Sequence, residues 1–418
     1  MSGNGLRVAL LCYRGAPHCG GQGVYVRHLS RELTALGHRV EVIAGPPYPR
    51  LDRGVRLTRL PGLELFAEPN PFRKPALREL RRVGDWVEYL DWRLRGRYSE
   101  PLAFSLRALA YLRSRRHEFD VVHDNQGLGY GLLGVPALGL PLVATVHHPI
   151  TIDRDLTLQS AEGEAARGAR RWYGFTAMQH RVARTLPAVL TVSTAARVEI
   201  TRCMGVPDRR ISVVHPGVDR GVFFVDSDVR RVPGRIVTTA SADVPLKGLR
   251  HLVAALPDVP DAELVVVGRI SPTSPTLHLI SELGLRDRVT VRTGLDDVEL
   301  ADLLRSAQVV CVPSLFEGFA LPAVEAMACG TPLVTTTAGA LPEVVGAHGE
   351  CALLVPPADP AALAKQLRVL LEDDVLRTAM GTRAAARSER FSWTATAAAT
   401  ADVYRALVHN NRKNGATC

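Results

Sequence analysis

Short apolar runs recur along the chain, each ended by glycine, proline or a polar turn and most followed by a stretch of helical spacing. Residues 6–12, 39–45, 120–123, 140–146 and 189–193 form one series, and residues 235–241, 263–268, 289–293, 309–312, 332–336 and 352–355 form another. Runs that are apolar throughout suit strands covered on both faces, and their alternation with helices predicts parallel, doubly wound sheets. Between the two series His215, Pro216 and Gly217 punctuate the chain, and the rhythm then starts again. At 418 residues the chain exceeds one ordinary core, so two α/β domains of roughly 200 residues are expected, meeting near position 215.

The most informative stretch is residues 313–330, P-S-L-F-E-G-F-A-L-P-A-V-E-A-M-A-C-G. The apolar run 309–312 stops at Pro313, a glycine-containing turn follows, and residues 323–328 have helix composition. This predicts a buried strand, a loop at its carboxyl end and a helix N-terminus. Ligands bind at such loops in open parallel sheets, and the first amides of a helix are donors suited to phosphate. Glu317 starts the loop and Glu325 lies in the first turns of the helix, with seven residues between them. The first carboxylate can face a sugar hydroxyl and the second a ribose diol, so the arrangement suits a nucleotide sugar. Without this context, two solvated surface charges would be the better reading.

E-G-F-A-L-P-A-V-E resembles the E-x7-E signature of the retaining glycosyltransferases of family 4, which have the GT-B fold. The resemblance continues through C-G-T-P-L-V-T-T-T-A-G-A-L-P-E, H-P-G-V-D at 215–219 and P-L-K-G-L at 245–249, in the family's order and over most of the chain. It implies two facing Rossmann-like domains with an interdomain cleft. Residues 1–215 would form the acceptor-side domain and residues 216–390 the nucleotide-sugar domain. Residues 391–408 would form a helix crossing back to the first domain, and 409–418 a disordered polar tail.

The resemblance also assigns roles. Lys247 would neutralise the donor diphosphate and the charge that develops as the sugar leaves. Glu317, Gly318, Phe319, Ala320 and Leu321 would meet sugar and phosphate, and Glu325 the ribose. Gly20, Gly21 and Gly23 lie where strand passes to helix; on their own they read as a flexible turn, and the family places a similar G-G loop against the donor. His147, at the end of the run 140–146, matches a family histidine near the donor sugar that hydrogen-bonds a hydroxyl or the departing phosphate. One departure stands out. Members commonly carry a G-R pair six residues ahead of the lysine, the arginine being a second diphosphate clamp, where this chain has Ala240 and Ser241. Arg269 is the candidate replacement, and Ile270 and Ser271 stand where a G-x-G is usual.

Composition adjusts this picture. The net charge is +9, almost all of it from arginine, since the lysines are only 74, 247, 365 and 413. A basic balance fits nucleic acid, an anionic membrane or anionic small substrates. With no nucleic-acid motif and the arginines spread through predicted helices, nucleic acid is set aside. The seven cysteines have no metal-ligand spacing and read as reduced thiols of a cytoplasmic protein. No signal peptide is visible, and the charge-free residues 125–152 break into loop, strand and loop on five glycines and three prolines. Asp153-Arg154-Asp155 mimics a D-x-D metal motif and reads as a solvated turn; the fold implies no metal.

Residues 46–119 are rich in proline, aromatics and arginine and are the candidate acceptor or membrane-facing region. Within them Trp86, Tyr89 and Trp92 recur every three positions along a predicted helix, a face that reads first as core packing and second as an interfacial helix. Residues 165–184 form another basic, aromatic helix candidate, meeting an acceptor's phosphate, meeting an anionic bilayer at the inner membrane face, or standing as an exposed face of the domain. The expectation is a retaining transfer from a nucleoside-diphosphate sugar to an acceptor hydroxyl, with the acceptor open. The alternatives are a sugar-phosphate synthase or epimerase on the same fold, or a catalytically degenerate nucleotide-sugar-binding protein.

Overall fold

A computed structural model describes residues 5–15, 21–67, 70–240 and 244–415. Their contacts divide into two compact units. The first holds the described residues of Met1–Val192, Arg197–Val214 and Trp393–Cys418; the second holds Ser193–Ala196 and His215–Ser392.

The first unit is built on strands β1 (Arg7–Cys12), β2 (Arg39–Ala44), β3 (Arg56–Arg59), β4 (Val121–Asn125), β5 (Leu142–Val146), β6 (Ala188–Thr191) and β7 (Ile211–Val213). They pair in parallel in the order β3-β2-β1-β4-β5-β6-β7. The central strands are buried end to end, as expected of a sheet covered on both faces. Leu11, Ile43, Val122 and Ala144 share their core with Leu112 and Met204 from flanking segments. The edge strands β3 and β7 have no counterpart among the predicted runs. R-L-T-R is exposed or half-exposed throughout and I-S-V spans three residues, so neither carries the uniform apolar signature of a central strand.

The second unit contains β8 (Arg235–Thr239), β9 (Glu263–Val267), β10 (Val289–Arg292), β11 (Val309–Val312), β12 (Leu333–Thr336) and β13 (Ala352–Val355). These match the second predicted series to within two residues. All pair in parallel, in the order β10-β9-β8-β11-β12-β13, which is the doubly wound arrangement.

The last helix, Trp393–Gly415, packs in the first unit. Trp393 stacks on His28 at 5.0 Å and meets Tyr25 edge-on at 5.7 Å, while the Tyr404 hydroxyl lies 2.5 Å from His123 Nδ1. The helix runs to Gly415 instead of giving way to a disordered tail after 408. Asn411 Nδ2 donates to the Gly139 carbonyl at 2.9 Å, and Arg412 and Lys413 suit the negative end of the helix dipole. Two further expectations need correcting. Asp153 and Asp155 lie on a helix, Thr151–Gln159, with Asp153 bonded to His148 at 2.8 Å. Residues 165–184 are split by a short turn, Tyr173–Phe175, into Gly163–Trp172 and Thr176–Thr185. Among the described residues no helix is long and apolar enough to cross a membrane.

Candidate functional site

In the second sheet β8 and β11 are neighbours although two strands separate them in sequence. The winding direction reverses between them, which opens a crevice outside their carboxyl ends. The loop after β8 ends at Lys247, and the loop after β11 begins at Pro313. Two hydrogen bonds among the described residues join them: Leu315 N–H donates to the Leu246 carbonyl at 2.7 Å, and Lys247 Nζ donates to Glu317 Oε1 at 2.8 Å. Ser314 Oγ donates to the same carboxylate oxygen at 2.7 Å. Glu317 is buried and Lys247 partly so.

Glycine makes the close approach possible. Gly248 has φ +64°, and a Cβ there would stand 2.0 Å from the Pro313 carbonyl oxygen. Gly339, after β12, has φ +58°, and a Cβ there would stand 2.3 Å from the Glu317 carbonyl oxygen. That oxygen instead accepts from the Ala340 N–H at 2.9 Å. Three strand-end loops therefore hold Glu317, and two of them do so at positions open only to glycine.

The loop is then clasped from its other side. Ser193 Oγ donates to the Gly318 carbonyl at 2.5 Å, and the buried Phe319 ring lies 5.9 Å from His215, stacked, and 5.4 Å from Phe391, edge-on. Glu343 accepts from His215 Nε2 at 2.8 Å and from the amides of Thr194 and Ala195. Burial opposes its ionisation, but these hydrogen bonds prevail and hold its pKa at about 2. Ala320 turns the chain into helix Leu321–Ala328 with φ +76°, a left-handed conformation costly for alanine. Pro322 in the first turn lacks an N–H and fits there without loss. One turn further on, burial lifts the Glu325 pKa to about 7, helped by the charge of Asp297.

In the first unit His147 follows β5. Its N–H donates to Gln126 Oε1 at 2.6 Å, its Nε2 lies 2.9 Å from Asn125 Oδ1, and the Tyr25 ring meets it edge-on at 4.8 Å. Burial lowers its pKa to about 3, so the ring is neutral and Nε2 carries the hydrogen given to Asn125. Gly21 opens helix Gly21–Ala35; Gly20 lies outside the described residues, as does Ser241. Arg269 is exposed two residues past the end of β9, the strand beside β8. Among the described residues no group of three or more His, Cys, Asp or Glu could hold a metal.

The structure thus brings Lys247, Glu317 and residues 318–325 together, and puts Arg269 on an adjacent strand end. Sequence reasoning missed Ser314, Ser193, Glu343 and Phe391. Glu343 belongs to A-L-P-E and Phe391 opens the last segment, so both were in view as pattern; their partners are far away in sequence and left no local signal.

Residues 19–221 match the model for Glycosyltransferase Family 4, and residues 227–387 that for Glycosyl transferases group 1. The chain is 52% identical to an MMP alpha-(1->4)-mannosyltransferase of Mycolicibacterium hassiacum, over 96% of this chain and 98% of that one. It is 31% identical to a D-inositol 3-phosphate glycosyltransferase of Kineococcus radiotolerans, over 97% and 96%. Among solved structures, sucrose-phosphate synthase of Thermosynechococcus elongatus superposes with a TM-score of 0.75 at 24% identity, covering 97% of this chain and all of that one. HepE of Anabaena in complex with UDP-glucose gives 0.68 at 18% identity, covering 96% of this chain and all of that one. Two parallel doubly wound units, a carboxylate-framed loop at a strand switch point and full-length relatives agree: the chain belongs to the family 4 glycosyltransferases of the GT-B fold.

Proposed function

We propose that this glycosyltransferase moves a mannosyl group, with retention of anomeric configuration, from a nucleoside-diphosphate donor to a sugar hydroxyl. The observation that carries the reading is the Lys247–Glu317 pair, which joins the loops after β8 and β11 beside the start of helix Leu321–Ala328. An ammonium has three donors, so Lys247 can keep Glu317 and still bind a diphosphate oxygen. Glu317, buried and held by Lys247 and Ser314, is oriented to accept from a sugar hydroxyl. The opening amides of the helix add positive potential for phosphate. Glu325 takes the ribose diol, Gly20 and Gly21 contact the donor, and Arg269 serves as the second diphosphate cation.

In the transfer, the bond from the anomeric carbon to the phosphate oxygen breaks as the acceptor oxygen attacks from the same face. The acceptor proton passes to the departing phosphate. Lys247 stabilises the charge that grows there, and neutral His147, its Nε2 hydrogen given to Asn125, offers Nδ1 as an acceptor to a hydroxyl of the donor sugar. No metal is assigned, because the ammonium and the helix amides supply the positive charge; added chelator should leave turnover unchanged. Mannose as the sugar rests on the 52% identical mannosyltransferase. The reading also includes a peripheral contact with an anionic membrane, made through the first unit.

The test pairs GDP-mannose or UDP-glucose with a mannoside or D-inositol 3-phosphate, the products being read by NMR. Turnover of GDP-mannose onto the mannoside with an α linkage, lost in Lys247→Ala, is expected. Turnover confined to UDP-glucose or to the inositol phosphate would overturn the substrate assignment. Donor binding without turnover would favour a degenerate binding protein.

A further inference from the structure

Helix Val83–Arg95 is turned the opposite way from an ordinary surface helix. Its acidic residues face inward. Asp85 and Glu88 both accept from Arg107 Nη2, at 2.7 and 2.6 Å, and buried Asp91 accepts from Arg95 at 2.9 Å. Tyr89 and Trp92 pack inward, but four other apolar residues face outward. Val83 and Leu94 are 80% and 77% exposed, and Trp86 and Leu90 43% and 42%. These four are spaced by three, four and four positions, so they form one stripe along the helix. Leu77 and Phe72, also exposed, add to the apolar surface of the preceding segment. A surface of this kind in a folded protein marks a place where something else binds.

The charges along this segment identify the kind of partner. Residues 70–97 hold eight Lys and Arg against four Asp and Glu, so this short segment supplies +4 of the chain's net +9. All four acids are buried or paired, the remaining one being Glu79, held by Arg73 at 2.7 Å. Lys74, Arg78, Arg81, Arg82 and Arg93 are exposed. The second basic helix, Gly163–Trp172, adjoins this one at its end: Tyr98 N–H donates to the Trp172 carbonyl at 3.2 Å, and a Cβ on Gly96 would stand 3.6 Å from Arg171 Cβ. Arg170 and Arg171 there are exposed too.

We infer that this face docks on the surface of an anionic lipid bilayer, with the stripe Val83, Trp86, Leu90 and Leu94 in the headgroup layer and the arginines on lipid phosphates. Aliphatic side chains with a tryptophan, ringed by arginine, are what an interfacial helix needs, and here the protein itself satisfies the acidic face that would otherwise be repelled. A second copy of the chain would set the same cations against one another across a twofold axis. The inference gives the proposed membrane contact a surface and does not depend on the transfer chemistry.

The test is flotation of the full chain with vesicles of equimolar phosphatidylglycerol and phosphatidylcholine, and with phosphatidylcholine alone. Binding to the anionic vesicles only is expected, weakening as salt rises. Leu90→Asp with Leu94→Asp should abolish it, and Arg81→Glu with Arg82→Glu should lower it by at least fivefold per charge removed. All four positions are exposed, so circular dichroism and turnover of a water-soluble acceptor should be unchanged. Absence of flotation at low salt, equal binding to neutral vesicles, or variants that bind like the parent would overturn the inference. So would a dimer in sedimentation velocity that Leu90→Asp dissociates.

Discussion

In the second unit, the loop that carries Glu317 is held by main chain. Gly248 and Gly339 let two neighbouring loops approach it, and carbonyls at Leu246, Glu317 and Gly318 take up its hydrogen bonds. In the first unit, helix Val83–Arg95 is held by buried charge, three carboxylates inside and one guanidinium, Arg107, serving two of them. Backbone constraint leaves a fixed pattern of residues in a short stretch of chain. Charge constraint can be met by any cation that arrives from elsewhere, so it leaves no pattern. The first kind of region can be recognised in a sequence; the second has to be seen folded.

Four substitutions test this contrast. The largest effect belongs to Arg107→Ala, which strands Asp85 and Glu88 in the interior; a loss of about 3–5 kcal/mol is expected in denaturant unfolding. Burial already raises the Glu88 pKa, and without the arginine it rises further. The folded form then holds its proton longer than the unfolded chain, so the deficit should grow as pH climbs above the usual carboxylate range and shrink on mild acidification. A deficit independent of pH would mean that packing, not charge, holds this helix.

Next is Lys247→Ala, expected to lower kcat/KM by about a hundred- to a thousandfold while stability falls less than in Arg107→Ala, because Lys247 is partly exposed and Ser314 and the backbone ties still hold Glu317. A collapse in stability instead would make the lysine a structural counter-ion. Third, ribose hydroxyls donate to an ionised carboxylate, so donor binding should favour deprotonated Glu325. Its pKa of about 7 in the free protein means that affinity rises with pH up to about 7 and is lost below it, by at most about tenfold per pH unit. Calorimetric titration of GDP across this range checks it, and Glu325→Gln should flatten the profile. The smallest effect is Ala320→Gly. Relief of the left-handed alanine exceeds the added freedom of the unfolded chain, for a gain of about 0.5 kcal/mol in Tm measurements.

The same contrast explains what could be read in advance. The six strands of the second unit were legible because each is a short, largely apolar run between turns, and the loop after β11 because strand, turn and helix follow one another without interruption. Strands β3 and β7 were not, since an edge strand need not be apolar on both faces. Helix Val83–Arg95 was legible as a helix but not in its orientation. Aromatic spacing placed Trp86, Tyr89 and Trp92 on a packed face; Tyr89 and Trp92 do reach a small cluster with Leu63, Leu65 and Leu80, whereas Trp86 faces outward. What turns the helix is Arg107, on the following helix Glu100–Ser114, and no periodicity within the helix could report it. At the candidate site, Glu317, Glu325 and Lys247 were found through motif, while Ser193 and His215, which clasp the loop at Gly318 and Phe319, come from segments more than 100 residues earlier.

The most direct test of the account is calorimetric titration of GDP and GDP-mannose into the full chain, the Lys247→Ala variant and the Glu325→Ala variant. Binding to the parent that weakens at least tenfold in both variants is the predicted result. Equal affinity in all three would contradict it, because the nucleotide would then sit away from the loops after β8 and β11.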